Sequence, residues 1–182
     1  MKKKIIFRSA LAIIFLVALN SCARTTLRYT WKDNTYQGGT LKKVLIIGVD
    51  QQQTVRRFLE DEFARQLKSK KTDVVPSYIF LPQEKMLDKE MIVSKINELE
   101  MDAVLVVWLG DTKESFYSYN TNPSQAVSSG YNLVLQARIF KERFDELIWE
   151  ALSETMFERY SEDVLKPLIT TIVKDLHDKR LL

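Results

Sequence analysis

Two continuous apolar runs constrain the fold of this chain more than any other feature. Val44–Val49 and Ala103–Leu109 contain β-branched and other apolar residues without the polar alternation of a half-exposed strand. Strands of this composition have both faces covered, as the central strands of a parallel sheet do. The chain is therefore predicted to bury these two strands between layers of helices.

Amphipathic helices and shorter strands are predicted around the two runs. Between the two runs, apolar residues recur at helical spacing. After the second run come two strand segments joined by a short link, a pattern typical of an antiparallel hairpin. The predicted elements are helix 54–70, strand 74–80, helix 88–99 with Asp88 as N-cap, strands 133–139 and 147–156, and helix 161–179. The sequence thus predicts a single three-layer α/β domain with three main helices and a mixed sheet of about five strands. In that sheet a parallel βαβαβ core precedes the hairpin.

The amino terminus has the features of an export signal. Lys2–Lys4 precede the apolar run Leu11–Leu19, which is shorter than the roughly 20 apolar residues of a membrane-spanning helix. Leu19-Asn20-Ser21-Cys22 resembles the bacterial lipobox, in which the cysteine becomes the acylated amino terminus of the mature protein. Cys22 is the only cysteine in the sequence. The alternative is an ordinary secretory signal that ends near a cysteine.

Lipidation at Cys22 would divide the chain into three parts. These are a signal peptide over residues 1–21, the lipidated cysteine with a tether or arm over 22–42, and a single α/β domain over 43–182. Leu27, Tyr29 and Trp31 alternate with polar residues within the second part. This alternation is typical of a half-buried strand, so an ordered arm is favoured over a plain spacer.

The charge of the mature chain differs from that of the precursor. Residues 1–21 carry four of the 27 basic residues and none of the 24 acidic ones, so the formal charge of +3 reflects the signal peptide. Without it the chain is nearly neutral, which argues against a nucleic-acid partner. Two or three acyl chains on Cys22 would attach it durably to a membrane. Ala23 follows the cysteine, and the resemblance to enteric lipoproteins implies an outer-membrane location facing the periplasm.

Residue types that usually carry catalysis or bind metals are scarce. His177 is the only histidine and is expected to be a solvated residue near the end of the last helix. No glycine spacing typical of a phosphate-binding loop opens a helix. We therefore expect no catalytic residue, metal site or cofactor. The charged residues Arg56-Arg57 and 60–62 are expected to form solvated helix faces.

Two acids are the first candidates for a binding site. Asp50 and Asp111 each come directly after, or one residue after, an apolar strand. In a parallel sheet both would lie at the carboxyl edge, where α/β domains usually bind ligands. A neighbouring pair would bind a cation or accept hydrogen bonds from a ligand. The alternative is that Asp50 caps the following helix and Asp111 only begins a loop.

A polar, aromatic segment supplies the second set of candidates. Residues 111–130 are rich in Ser, Asn and Tyr and are predicted to form a long loop. Aromatic and amide side chains of this kind often form interaction surfaces. The candidate residues are Tyr117, Tyr119, Asn120, Asn122 and Tyr131. The alternative is a loop that folds back on its own aromatic side chains.

Several segments of the mature chain resemble a family of small bacterial outer-membrane lipoproteins. They are Lys43–Asp50, Phe80-Leu81-Pro82, Asp102–Leu109 and Leu147-Ile148-Trp149. The order of elements is also similar, more loosely, to the α/β domains of penicillin-binding-protein activator lipoproteins, curli-secretion lipoproteins and the TolB amino-terminal domain. The resemblance implies an α/β fold and an envelope location, and it carries over no catalytic residue.

Two functions are consistent with these features. The first is a membrane-anchored lipoprotein that acts as a non-catalytic interaction module, docking on another envelope protein or on peptidoglycan. The second is a receptor domain for a small ligand or cation at the carboxyl edge of the parallel strands. A hydrolase would have only common acids, Ser and Tyr to perform its chemistry, so an enzyme is not expected.

Overall fold

A computed structural model describes residues 25–68, 72–110, 113–117, 128–157 and 159–182. Within these residues the chain forms one sheet and three α-helices. The strands are β1 (Thr26–Lys32), β2 (Lys43–Val49), β3 (Asp73–Pro76), β4 (Ala103–Leu109), β5 (Lys113–Tyr117), β6 (Ser128–Lys141) and β7 (Leu147–Phe157). The helices are α1 (Gln53–Lys68), α2 (Lys89–Leu99) and α3 (Leu165–Asp178).

The sheet has the mixed topology that the sequence predicts. Its order is β1-β7-β6-β4-β2-β3, and β5 pairs with β6 beside this path. Strand β2 pairs in parallel with both β3 and β4. The pairs β4–β6, β6–β7 and β7–β1 are antiparallel. The parallel βαβαβ core and the following hairpin are therefore confirmed.

The sheet has seven strands, two more than the five predicted. Strand β5 lies inside the segment 111–130 that was expected to be a loop, because the Ser, Asn and Tyr content of this segment hides its pairing with β6. The other additional strand, β1, contains Leu27, Tyr29 and Trp31 and pairs with β7 at the edge of the sheet. The chain therefore enters the sheet four residues after Cys22.

Helices cover the two faces of the sheet unequally. Helices α1 and α3 pack on one face, where Leu59, Phe63 and Ile172 are fully buried among residues of several strands. Helix α2 packs on the other face, where Ile92 and Ile96 contact buried residues of β2 and β4. The N-cap predicted for α2 is confirmed, since Oδ1 of Asp88 accepts a hydrogen bond from the Met91 backbone N–H over 3.1 Å.

The part of the second face that is formed by β6, β7 and β1 remains outside the helix layer in the described chain. Cross-strand partners align there in two rows, and none of their side chains is buried, although Ala137 and Ala151 on the opposite face are fully buried. We call this surface the open face, and it consists of Tyr29, Trp31, Gln136, Arg138, Glu150 and Leu152. The open face is polar and aromatic, whereas the part of the same sheet face that α2 covers is mainly aliphatic.

No helix among the described residues has the length and apolar character needed to cross a membrane.

Candidate functional site

The carboxyl ends of β2 and β4 lie side by side. Val49 pairs with Trp108 in parallel register, so the residues that follow these strands come together at one edge of the sheet. Asp50 and Gly110 are those residues. Asp111, the second acid of the predicted pair, lies outside the described residues, as does Cys22, the predicted acylation site.

Asp50 links the end of β2 to the start of α1. Its Oδ1 accepts a hydrogen bond from the Gln52 backbone N–H over 2.7 Å, one residue before the helix begins. Its backbone carbonyl accepts a hydrogen bond from the Gln83 side-chain amide. Asp50 thus orders the connection between β2 and α1 through a residue that precedes the helix, and its side chain also borders a cavity.

This carboxyl-edge cavity has a volume of about 490 Å³, within the range of roughly 300–1,000 Å³ for small-molecule sites. Its floor and walls come from the ends of β4, β6 and β7, the start of α1, and the segment after β7. The lining residues are Asp50, Gln52, Val55, Leu109, Gly110, Tyr131, Leu133, Phe157 and Tyr160. Asp50 and Tyr131, predicted as members of two different sites, therefore line the same one.

Three aromatic rings form one wall of the cavity. Tyr131 and Phe157 are stacked with ring centroids 5.7 Å apart, and Phe157 contacts Tyr160 edge-on at 6.1 Å. Burial raises the pKa of Tyr160, and the negative charges of Asp50 and Glu162 raise it further. The Tyr160 hydroxyl thus stays protonated at neutral pH and can donate a hydrogen bond.

The other members of the tyrosine set are placed only in part. Tyr117 is the last residue of β5, and its backbone pairs with Ser128 of β6. Tyr119, Asn120 and Asn122 lie outside the described residues. Sequence reasoning missed Phe157 and Tyr160. The register of the hairpin sets Phe157 directly opposite Tyr131, and the sequence does not specify this register.

Behind the cavity, helix α1 carries a buried ion pair. Arg56 and Glu60 are 1% and 0% exposed, and Nε of Arg56 donates to Oε1 of Glu60 over 3.0 Å. The expectation of a solvated helix face is wrong for these two residues and for Glu62, which is 7% exposed, whereas Arg57 and Asp61 are exposed. Gly48 explains the burial, because a Cβ there would lie 3.0 Å from the Arg56 carbonyl oxygen and 3.2 Å from Cγ of Glu60.

The Glu60 carboxylate has a hydrogen-bond donor on every side. Oε1 accepts from the backbone N–H of Gly48 and from the hydroxyl of Ser77, each over 2.9 Å. Oε2 accepts from the backbone N–H of Tyr78, also over 2.9 Å. These bonds join α1 to β2 and to the turn after β3, so the carboxylate connects three elements of the fold.

The Arg56 guanidinium extends the same network toward the cavity. It donates to the Ser77 hydroxyl over 2.9 Å, to the carbonyl of Leu81 over 3.1 Å and to the side-chain oxygen of Gln83 over 3.3 Å. Gln83 in turn donates to the Asp50 carbonyl. A chain of hydrogen bonds therefore holds the loop on which Asp50 lies.

The described residues contain no cluster of three or more His, Cys, Asp or Glu side chains that could hold a metal ion. His177 lies at the carboxyl end of α3 and is exposed.

Neither a family model nor a curated protein matches this chain. Among solved structures, the PelC dodecamer from Paraburkholderia phytofirmans has a TM-score of 0.53 at 12% identity, covering 87% of this chain and 99% of that one. Lipoprotein GNA1162 from Neisseria meningitidis has a TM-score of 0.45 at 14% identity, covering 75% and 98%. A minor lipoprotein from Acinetobacter baumannii has a TM-score of 0.45 at 10% identity, covering 77% and 95%. The similarity to PelC concerns the fold alone, and two of these similar structures are lipoproteins.

Proposed function

We propose that the chain is a lipoprotein, acylated at Cys22, that acts as a non-catalytic interaction module of the bacterial cell envelope. The lipobox-like Leu19–Cys22 and the short signal run support the lipid anchor. Ala23 supports sorting to the outer membrane, with the domain in the periplasm, as in the small outer-membrane lipoproteins that the chain resembles. The anchor would be a diacylglycerol and a further acyl chain such as palmitate.

The open face is the observation that carries this proposal. Tyr29 and Trp31 are 48% and 39% exposed at the edge of the sheet. Beside them Arg138 stacks over Trp108 at 5.5 Å and pairs with Glu150 over 2.7 Å. Tyr, Trp and Arg are the residue types enriched at the centres of protein interfaces. A flat surface of this composition on a tethered domain favours a protein partner.

The position of the anchor supports the same proposal. Only two residues separate Cys22 from Thr25, the first described residue, and β1 begins at Thr26. Four extended residues span at most about 14 Å. The open face would therefore be held close to the membrane surface, where it would meet membrane-bound partners. Because the similar PelC structures are dodecamers, a second copy of the chain is one partner to test.

Acylation is tested by replacing Cys22 with Ala and labelling cells with a radioactive or clickable fatty acid. The wild-type chain should be labelled and processed, and Cys22→Ala should be unlabelled and keep its signal peptide. Normal labelling of the variant would exclude the lipid anchor. Fractionation of labelled cells then distinguishes the outer from the inner membrane.

Docking is tested by a photocrosslinking amino acid placed at three positions in intact cells. Tyr29 represents the open face, Tyr119 the predicted aromatic loop, and Ile79, which is 65% exposed beyond β3, is the matched control. Tyr29 should give a discrete adduct that is absent at Ile79. Light scattering of the purified chain shows whether that adduct is a second copy. Identical, diffuse labelling at all three positions would contradict the proposal.

A second candidate function is supported by the carboxyl-edge cavity. Asp50 and Tyr131 meet there at the end of parallel strands, where α/β domains bind small ligands. We propose small-ligand binding as this second function. A library of small molecules should contain compounds that raise the unfolding temperature of the wild-type protein and not that of Asp50→Asn. A library that stabilises neither protein would count against a receptor.

A further inference from the structure

The described lining of the carboxyl-edge cavity combines one acid with three aromatic rings. Asp50 is the only charged residue in that lining. Tyr131, Phe157 and Tyr160 form a continuous aromatic wall, and the two tyrosines are 42% and 48% exposed. Aromatic faces attract organic cations, most strongly where a carboxylate stands nearby and water is partly excluded.

The electrostatic surroundings of the wall favour a cation as well. Among the described residues, the negative charges of Asp50 and Glu162 add to burial in raising the pKa of the Tyr160 hydroxyl. Other aromatic rings of the protein are stacked against a cationic side chain. The Arg57 guanidinium, for example, lies 5.3 Å from the centroid of the Tyr78 ring. Among the side chains that the structure describes, no Lys or Arg stacks over the three rings of the wall.

Strand register places this cavity at the edge of the sheet where β1 begins. Thr26 is opposite Glu154, and Glu154 is opposite Val134. The Gly110 backbone N–H donates to the Val134 carbonyl over 2.8 Å. Thr26 and Gly110 are thus three strand spacings apart at one level of the sheet, a distance of about 14 Å. A tether from Cys22 would therefore hold the cavity edge, rather than the opposite edge, nearest the bilayer.

We propose that the carboxyl-edge cavity binds an organic ammonium group, with Asp50 as its counter-charge and Tyr131, Phe157 and Tyr160 as an aromatic wall around it. The proposal deepens the second candidate function and rests on it. Two sources supply this chemistry in an envelope, a soluble amine and the headgroup of a lipid. Both would present the same ammonium group to Asp50.

The test compares choline with 3,3-dimethyl-1-butanol, which has the same shape without the positive charge. Binding to the purified full-length protein in a nonionic detergent is followed by calorimetry and by tyrosine chemical shifts. Choline should bind saturably, and the neutral analogue should bind roughly tenfold more weakly or not at all. Equal binding of the two compounds, or no saturable binding of choline, would overturn the proposal.

Three variants identify the residues responsible. Asp50→Asn keeps an oxygen acceptor for the Gln52 N–H and should weaken choline binding about tenfold. Asp145→Asn removes the same charge from an exposed residue at the opposite end of the sheet and should leave binding unchanged. Tyr160→Phe keeps the aromatic face and should bind within about twofold of wild type, whereas Tyr160→Leu should not. Choline binding that is indifferent to both Asp50→Asn and Tyr160→Leu would overturn the proposed site, provided that each variant unfolds cooperatively.

Vesicles distinguish the two sources. The acylated chain is inserted into phosphatidylcholine or into phosphatidylglycerol vesicles, and choline is titrated into each. Weaker apparent binding in phosphatidylcholine identifies the lipid headgroup as the occupant, and equal binding identifies a soluble amine; both support an ammonium site. Stabilisation by neutral compounds of the library alone would overturn the ammonium site and leave the receptor function standing. Failure of every compound would overturn both.

Discussion

Helix α1 carries two ion pairs that are built from the same residue types and differ in their surroundings. Arg56 and Glu60 face the sheet and are 1% and 0% exposed. Glu62 and Arg65 lie on another side of the helix, and the Arg65 side chain is 68% exposed. Sequence spacing does not distinguish the two, because residues three and four apart are neighbours on any helix surface. Gly48 does distinguish them, since its missing side chain makes room for the first pair.

The contrast shows that similar charges serve different purposes on one helix. A buried pair contributes little net attraction after desolvation, but removal of one partner leaves an uncompensated charge in the protein interior. Arg56 and Glu60 therefore matter through what they hold in place, which is the turn after β3 and the loop of Asp50. Arg65 remains in contact with water, which screens its attraction to Glu62, although the Glu62 side chain itself is only 8% exposed.

The largest effect is expected for Glu60→Gln. The glutamine fits the space but leaves the Arg56 guanidinium without a counter-charge, and its NH₂ group faces one of the N–H or O–H donors that now bond to the carboxylate. The loss of stability should reach about 5 kcal/mol, the upper end for breaking a buried pair. Urea unfolding followed by circular dichroism measures it. A loss below about 1 kcal/mol would show that the pair is hydrated in solution.

Arg56→Met should be the second most damaging substitution. Glu60 then loses its cation but keeps the N–H groups of Gly48 and Tyr78 and the Ser77 hydroxyl as donors. The loss should be about 3 kcal/mol, smaller than for Glu60→Gln. The same unfolding experiment with Arg57→Met, at an exposed neighbour, is the control and should change stability little. The reverse order of the two buried variants would contradict a carboxylate-centred network.

Much of the fold could be predicted from the sequence because it depends on composition over several residues. The runs at 44–49 and 103–109 predict buried parallel strands, and the structure pairs them as neighbours. Capping by Asp88 follows from local chemistry. Strand β5 could not be predicted, because a short polar strand is stabilised by its pairing with β6 rather than by its own apolar pattern.

The candidate site was predictable only in its location. The ends of parallel strands point to Asp50, and an exposed aromatic segment points to Tyr131. Their meeting in one cavity with Phe157 and Tyr160 depends on the register of β6 and β7, which the sequence does not specify. The burial of Arg56 and Glu60 depends in the same way on how closely α1 approaches Gly48.

A third buried carboxylate, without a cation, tests whether the charge of Arg56 is what makes the first pair sensitive. Oδ2 of Asp175 accepts from the Trp149 indole N–H over 2.9 Å and from the Thr30 hydroxyl over 2.6 Å. Asp175→Asn keeps an oxygen for these neutral donors, so the loss should be about 1 kcal/mol. Unfolding followed by tryptophan fluorescence measures it, with the exposed Asp178→Asn as control. A loss as large as that of Arg56→Met would show that burial alone, not a missing counter-charge, sets the cost.

The smallest effect is expected from the pair of Glu62 and Arg65, in which the arginine side chain is 68% exposed, and its dependence on pH sets it apart from the pair of Arg56 and Glu60. The hydrogen bond from Arg65 lowers the pKa of Glu62 below its ordinary value. The stability that Glu62 contributes is therefore fully present above the pKa of the unfolded chain and is lost as the pH falls through the folded pKa. The difference in unfolding temperature between wild type and Glu62→Gln should be small at about pH 7, decrease with added salt, and disappear as the pH falls through the lowered pKa of Glu62. A difference that persists in acid, or that salt leaves unchanged, would show that Glu62 stabilises α1 through packing rather than through its charge.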